Sequence, residues 1–437
     1  MYYEAETYPS PGYPTPNPCL SFWLQNTRSS PLLGHRTTDT LPPLVDIAII
    51  GSGLSGAATA YYLLAQSKVS STQQPQLPSV LILEAREACD GATGRNGGHC
   101  RPFAFQGYSE YKKIFGKEQA MKIINLDMEN LHLMEDLIKK EKVDCDFWIG
   151  ETYETCLDQE AADIKLESYQ EYKADGGPLE GVVELITDSD EAKRVSNLKA
   201  NFEEMRVRIV RNATNMKSQL TRMRKAVITA SSPAASLFPY KLVSHLLHLC
   251  ISKYGLNLQT HTHVSSVTSI IDHEQGSRWV LTTPRGQIKA RQVVYATNAF
   301  TATLLPEFLG HIVPGQGQCA AIVPTKSYSG KGTMDRTCCY SWGNVEGYYD
   351  YLIQRPMDGI IILGGGKASV SGSKSIIGST NDSGRIADGG RQQSITGYLK
   401  DAMEQHFSDW TAKGKEEPGE GFLSDWTGRS TFPTKAF

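Results

Sequence analysis

Residues 1–43 are rich in Pro, Ser, Thr and Tyr and have no apolar period. This predicts an irregular leader lying over a domain surface, with Ser21–Trp23 as its only anchor. The pattern then changes. After Asp46, the run Ile47–Ile50 is continuously apolar, as in a parallel strand buried on both faces. Gly51, Gly53 and Gly56 follow, and Ala57–Leu64 resumes with small and apolar helix formers. The polar stretch Ser67–Ser79 reads as a surface insertion before a second buried strand, Val80–Leu83, which ends in Glu84. Residues 108–142 carry helix-type apolar spacing with alternating charges on the other face, which predicts an amphipathic helix or helix pair. Strand-like stretches fill the second half: Leu256–Val267, Trp279–Thr283, Gln287–Ala290, Gln292–Ala296, Tyr349–Gln354 and Ile360–Leu363. No internal repeat suggests a solenoid or propeller. The prediction is an α/β fold.

Composition narrows the class. A chain of 437 residues suits two or three domains, and 40% apolar with 21% charged residues is a globular balance. The uncharged stretch Ile47–Ala65 raises a membrane span, but its strand, glycine-turn, helix order argues for a soluble motif. With 47 acidic and 44 basic side chains there is no global positive field, so nucleic acid is not an expected partner. Nine Cys with no C-x-x-C pair suggest neither a zinc site nor a disulfide framework, but reduced thiols in a cytoplasmic setting. The acidic, Pro-rich start lacks the basic and apolar regions of a secretory signal, so the sequons at Asn212 and Asn381 read as chance. His261 and His263 share a strand face without a third ligand, and no metal site is expected. Nothing in the pattern points to a particular oligomer.

Gly51, Gly53 and Gly56 form G-x-G-x-x-G after a strand: a tight turn, close approach to a pyrophosphate, and close packing of helix on strand. Amides at the helix start would face the phosphates. Glu84, at the end of the next strand, is placed to accept both hydroxyl hydrogens of an adenosine ribose. It lies 28 positions past Gly56 (84 minus 56), longer than the usual spacing of about 20. A carboxylate there disfavours a 2'-phosphate and leaves NAD or FAD. The following segment contains Gly91, Gly94, Gly97 and Gly98 with the polar residues Thr93, Arg95 and Asn96. It suits a chain running along an extended cofactor towards a flavin, and an NAD-dependent dehydrogenase would leave it without a purpose.

IIGSGLSGAATA, LEAR, GATGRNGG, THTHVSSV, VVYATNAFTA and IILGGG occur in this order over roughly residues 45–366. The ordered set resembles the FAD-dependent amine and D-amino-acid oxidoreductases, the superfamily of glycine, sarcosine and gamma-glutamylputrescine oxidases. The leader around NPCLSFW and the helix around IFGKEQA resemble fungal members. The resemblance implies a Rossmann-like FAD-binding domain (44–107 and 240–310) and a mixed-sheet α+β substrate domain (108–239 and 311–424), with a leader at 1–43 and a truncated return at 425–437. It further implies that Gly51, Gly53, Gly56, Glu84 and Arg86 hold the ADP half of FAD. Thr93, Gly94, Asn96 and Gly97 would run beside the ribityl chain and ring, Val264 would meet the adenine, and Ala296, Thr297 and Asn298 would close over the cofactor.

The expected activity is oxidation of the C–N bond of an amine or amino acid to an imine, with oxygen as acceptor. His99 is the candidate orienting group, proton acceptor or flavin anchor, with Cys100 as the rival anchor. Tyr349, Tyr351, Ile353 and Arg355 share one strand face by the period of two, with Arg355 as candidate partner of a substrate carboxylate. Two departures stand out. Relatives follow the element at Asp425–Gly428 with a further strand and glycine turn, expected to lie beside the first strand and face the flavin. Residues 203–230 form a basic stretch, read as a helical insertion or a segment that processing would remove, with a basic interaction arm as the functional alternative. A truncated, catalytically silent nucleotide-binding protein is the rival reading.

Overall fold

The computed structural model describes residues 10–25, 27–66, 77–188, 207–210, 222–224, 226–270, 278–341, 349–366 and 390–433. Its strands in chain order begin with β1 (Leu44–Ile50), β2 (Val80–Leu83), β3 (His99–Cys100), β4 (Trp148–Cys156), β5 (Glu184–Asp188), β6 (Val207–Val210) and β7 (Ile228–Ser236). They continue with β8 (Asn257–Gln259), β9 (Ser266–Ser269), β10 (Trp279–Thr283), β11 (Gly286–Tyr295), β12 (Ile312–Val323), β13 (Thr337–Ser341), β14 (Asp350–Gln354), β15 (Ile361–Gly364) and β16 (Gly421–Pro433).

The smaller sheet has the order β8-β2-β1-β11-β10-β9. Its β8-β2-β1-β11 part is parallel, with Ile49 opposite Ile82 on one side and Val294 on the other. The apolar run of β1 serves two cores, as period-two alternation requires. Ile47 and Ile49 face the helical layer, while Ala48 and Ile50 face a cluster with Leu81, Leu281 and Ile288. That helical layer is α1 (Phe22–Gln25) with α2 (Leu54–Gln66), joined further on by α6 (Pro239–Tyr254). Proline within its first turn and left-handed Gly255 after its last bound α6, the usual asymmetry of helix ends. The larger sheet has the order β16-β12-β15-β14-β13-β4-β7-β5-β6, with β3 on β7. Against it pack α3 (Tyr108–Phe115), α4 (Lys117–Glu141), α5 (Gln159–Ala174) and, after the short α7 (Thr301–Leu304), α8 (Gln393–His406). This is an α/β architecture with a Rossmann-like half and a mixed-sheet half.

Several expectations change. The leader is not anchored by Ser21–Trp23 alone: the Cys19 carbonyl accepts from Arg95 Nη1 at 2.6 Å and the Thr15 carbonyl from Arg86 Nη1 at 3.2 Å. Its helix α1 is core, with Trp23 fully buried. The stretch 256–267 is interrupted between β8 and β9, because Thr260–Ser265 turns to bond Glu84, Arg86 and His35 instead of a ladder. The two stretches expected at Gln287–Ala290 and Gln292–Ala296 form one strand, β11, which ends at Tyr295. Within 203–230 the described elements are strands β6 and the start of β7, not a helix. Strand β7 is the partner of β4, β5 and β3 and is buried along nearly its whole length. The first strand does not lack a neighbour, since β1 lies between β2 and β11. The last described residues stay in the larger sheet, where β16 pairs with β12 from Ile312↔Pro433 to Val323↔Gly421. Asn212, Asn381 and most of the insertion after Gln66 lie outside the described residues.

Among the described residues no helix is long and apolar enough to cross a membrane, and no cluster of three ligand-type side chains forms a metal site. The nine cysteines are free thiols.

Candidate dinucleotide site

A cavity of about 830 Å³ opens between the two sheets, walled by the β1–α2 turn, Glu84–Arg86, Gly91–Thr93, Arg95, Asn96, His263–Val264, Tyr295–Asn298 and residues of β12, β14 and β16. Gly51 adopts φ +107°, and a Cβ there would sit 2.5 Å from the Ala296 carbonyl oxygen. A Cβ on Gly56 would fall 2.0 Å from the Gly51 carbonyl oxygen, so the helix rests directly on the turn. Gly53 is different: its nearest neighbour would be Thr93 Oγ1 at 3.1 Å, and it lines the cavity. Thr93 Oγ1 accepts from the Leu54 amide at 3.0 Å and fixes the start of α2, whose first amides face an anion site.

Glu84 is buried at the cavity wall. Its Oε2 accepts from the Ser52 amide at 3.0 Å and the Ser52 hydroxyl at 2.6 Å, and its Oε1 from the Arg86 amide at 2.9 Å. A carboxylate has about four acceptor positions, so roughly one remains for a ligand hydroxyl, not the two expected from sequence. Behind it, Asp90 joins Arg86 (3.3 Å) and Arg95 (2.7 Å). Burial holds the Asp90 carboxyl above its ordinary value while both guanidiniums pull it down.

The glycines of GATGRNGG divide in role. Gly94 and Gly97 do not line the cavity: Cβ atoms there would meet the Cys89 carbonyl oxygen and the Tyr351 ring, each at 2.3 Å. They let the loop lie flat on its supports. Asn96 lines the cavity while its Oδ1 accepts from the Gly98 amide at 2.8 Å. Across from it, Val264, Ala296, Thr297 and Asn298 complete the wall, with Asn298 Nδ2 donating to the Arg429 carbonyl at 3.1 Å. At the far end, Tyr351 meets Cys319, with Oη 3.4 Å from Sγ. Burial pushes the Tyr351 phenol well above its usual range.

Two expected residues stand elsewhere. Arg355 points away from the cavity: it pairs with Asp146 at 3.0 Å and Asp358 at 3.2 Å and lies against the rings of Phe22, Trp23 and Phe238. Its expected substrate role is replaced by a structural one. His99 lies behind Tyr351, ring centroids 6.3 Å apart, with Nε2 2.7 Å from Thr337 Oγ1. Burial, reinforced by the Arg101 charge, lowers its imidazole to about 3, so it is neutral at working pH and a weak proton acceptor. Cys100 does not line the cavity, and its thiol is pushed up to about 12 by burial.

Sequence reasoning missed three groups. Tyr13 and Pro14 of the leader line the cavity, as does Arg429. Arg101, two residues past His99, is buried against Glu154, which also pairs with Lys165 at 3.1 Å. Arg101 stacks over Tyr349 at 5.1 Å. Only the position of Arg101 beside the glycine-rich loop signalled it.

Partial matches in sequence are "Probable oxidoreductase OrdL" of Haemophilus influenzae, 29% identical over 137 residues, and "Gamma-glutamylputrescine oxidoreductase" of Escherichia coli, 24% identical over 129 residues. They cover 30% and 29% of this chain, and the matched stretch spans only 30% and 28% of those relatives' length. In structure, glycine oxidase from Geobacillus kaustophilus aligns with a TM-score of 0.60 at 16% identity, over 91% of this chain and 85% of that one. That likeness concerns the fold. The model of FAD dependent oxidoreductases, abbreviated DAO, matches residues 46–436, which take in the glycine turn, Glu84 and both sheets; the chain belongs to that FAD-dependent family.

Proposed function

We propose that this protein oxidises the C–N bond of an amine or amino acid to an imine, with oxygen as the acceptor and water then releasing a carbonyl product. The observation that carries the reading is the span of one cavity from the glycine turn to Tyr351 and Cys319 on the larger sheet. The wall fits FAD: the turn is closed to side chains at Gly51 and Gly56, Gly53 opens onto the cavity, and Glu84 keeps an acceptor position in reserve. In this reading Gly51, Gly53, Gly56, Glu84, Arg86, Thr93 and Asn96 hold or shape the site for the cofactor, with Val264, Ala296 and Thr297 closing it. Bound FAD supplies the two-electron acceptor for hydride from the carbon beside nitrogen.

The protein's own groups orient and exclude water. Tyr351 stays protonated and offers a hydrogen-bond donor at the substrate end. Beyond it, Arg101 and Lys165 both pair with Glu154, and the Asp127 carboxyl also feels the Arg101 charge. His99 supports the Tyr351 ring from behind without exchanging protons. The name glycine oxidase, borne by the aligned structure, agrees with this substrate class. Free thiols throughout agree with a cytoplasmic setting.

The test is reduction of the protein's yellow chromophore under anaerobic conditions by a panel of amines and amino acids, followed by peroxide formation on admitting oxygen. Gly53→Val should abolish FAD uptake. A protein that binds FAD yet is reduced by none of the panel is the silent binder of the rival reading.

A further inference from the structure

The leader is rich in proline where it reaches the cavity, with Pro11, Pro14, Pro16 and Pro18, so its extended shape is largely preset. Residues 11–15 are fastened at successive positions. The Pro11 carbonyl accepts from Arg429 Nη1 at 3.1 Å, and the Gly12 carbonyl from Thr303 Oγ1 at 2.6 Å. The Tyr13 hydroxyl donates to the Ser265 carbonyl at 2.7 Å, and its ring meets His263 edge-on with centroids 5.3 Å apart. Arg86 Nη1 reaches the Thr15 carbonyl at 3.2 Å. Arg86, His263, Thr303 and Arg429 come from four separate stretches of chain, and all four line the cavity. A segment tied to all of them spans the opening between them.

Tyr13 is held by its hydroxyl yet 47% exposed, a ring fixed at the rim with a free surface. It stands at the end of the cavity that holds Glu84, Arg86 and Val264, where the ribose-reading carboxylate lies. We propose that residues 11–15 form a strap over the adenosine half of bound FAD, with the Tyr13 ring in contact with that half. The strap then sets how fast the cofactor leaves. The inference rests on the FAD assignment and adds to it a contact from outside the glycine-turn domain.

The experiment measures FAD release from the holoprotein and FMN binding to the apoprotein, for the parent, Tyr13→Ala and Tyr13→Phe. Tyr13→Ala should release FAD about tenfold faster, the effect of one aromatic–base contact of ordinary strength. Tyr13→Phe, which loses only the bond to Ser265, should fall between. FMN lacks the adenosine half, so its affinity should be the same in all three, as should the apoprotein thermal midpoints. FAD release at the parent's rate from Tyr13→Ala overturns the strap. So does an equal loss of FMN affinity or a lowered apoprotein midpoint, either of which marks a structural role. A parent protein that takes up no FAD overturns the cofactor assignment, and the strap with it.

Discussion

Replacing Trp23 by alanine tests whether the leader belongs to the core. The indole is fully buried; it packs against Phe238 with centroids 4.8 Å apart and carries the Arg355 guanidinium at 5.4 Å. Its Nε1 donates to the Asn96 carbonyl at 2.5 Å, tying the leader to the loop beside the cavity. Truncating a buried Phe or Trp costs about 3–5 kcal/mol through lost transfer energy and the cavity left behind. Losing the bond to Asn96 adds about 1 kcal/mol. The expected loss is therefore about 4–6 kcal/mol, a large share of the roughly 5–15 kcal/mol that holds a domain together. Trp23→Phe keeps most of the apolar area, gives up the hydrogen bond, and should cost about 1–2 kcal/mol. Urea unfolding of parent and both variants, with FAD absorbance followed alongside, measures this. Trp23→Ala within about 1 kcal/mol of the parent would refute the claim that α1 is core, since no exposed leader residue is expected to move stability further than that.

Arg355→Met should cost about 3 kcal/mol, the low end for breaking a buried ion pair, because Lys241 still neutralises Asp146; the KM for the amine should not change, whereas a raised KM at parental stability would return Arg355 to the substrate. His99 is held near 3 in the fold against about 6.5 unfolded, so the unfolded chain binds more protons between these values. Stability should therefore be full above about pH 6.5 and fall as pH drops towards 3, with His99→Gln flattening part of that slope in thermal midpoints measured across the window. The same depressed imidazole should contribute no limb to the pH–rate profile between pH 5 and 9. Gly53→Val should fold with a parental midpoint yet show no flavin absorbance after reconstitution.

Much of this was legible where the local pattern is strong. The run Ile47–Ile50, three glycines and a second strand ending in acid describe a unit whose contacts are mostly local, and the structure keeps that register. The helices over 108–142 follow from spacing alone. What escaped depended on distant partners. Nothing near Val227–Ser236 announces a strand until β4 and β5 are set on either side. Arg355 and Arg101 look alike in sequence, two arginines each beside a proline. Only packing distinguishes them: one is held by Asp146 and three rings, the other by Glu154 behind Tyr349. The leader read as irregular because many of its bonds go to partners between 71 and 418 positions away.

Arg95 has a bearing on biosynthesis. Its Nη1 holds the carbonyls of Cys19, at 2.6 Å, and Thr427, at 3.3 Å, residues 408 positions apart. A ribosome adding about 5–20 residues per second needs on the order of 20–80 s to make the stretch between them. Throughout that interval the emerging leader, with Phe22 and Trp23, waits without β16, and the wall that Arg429 completes does not exist. The complete cavity wall thus forms only after Arg429 has emerged, and cellular yield should depend on how well the unfinished chain is shielded while it waits.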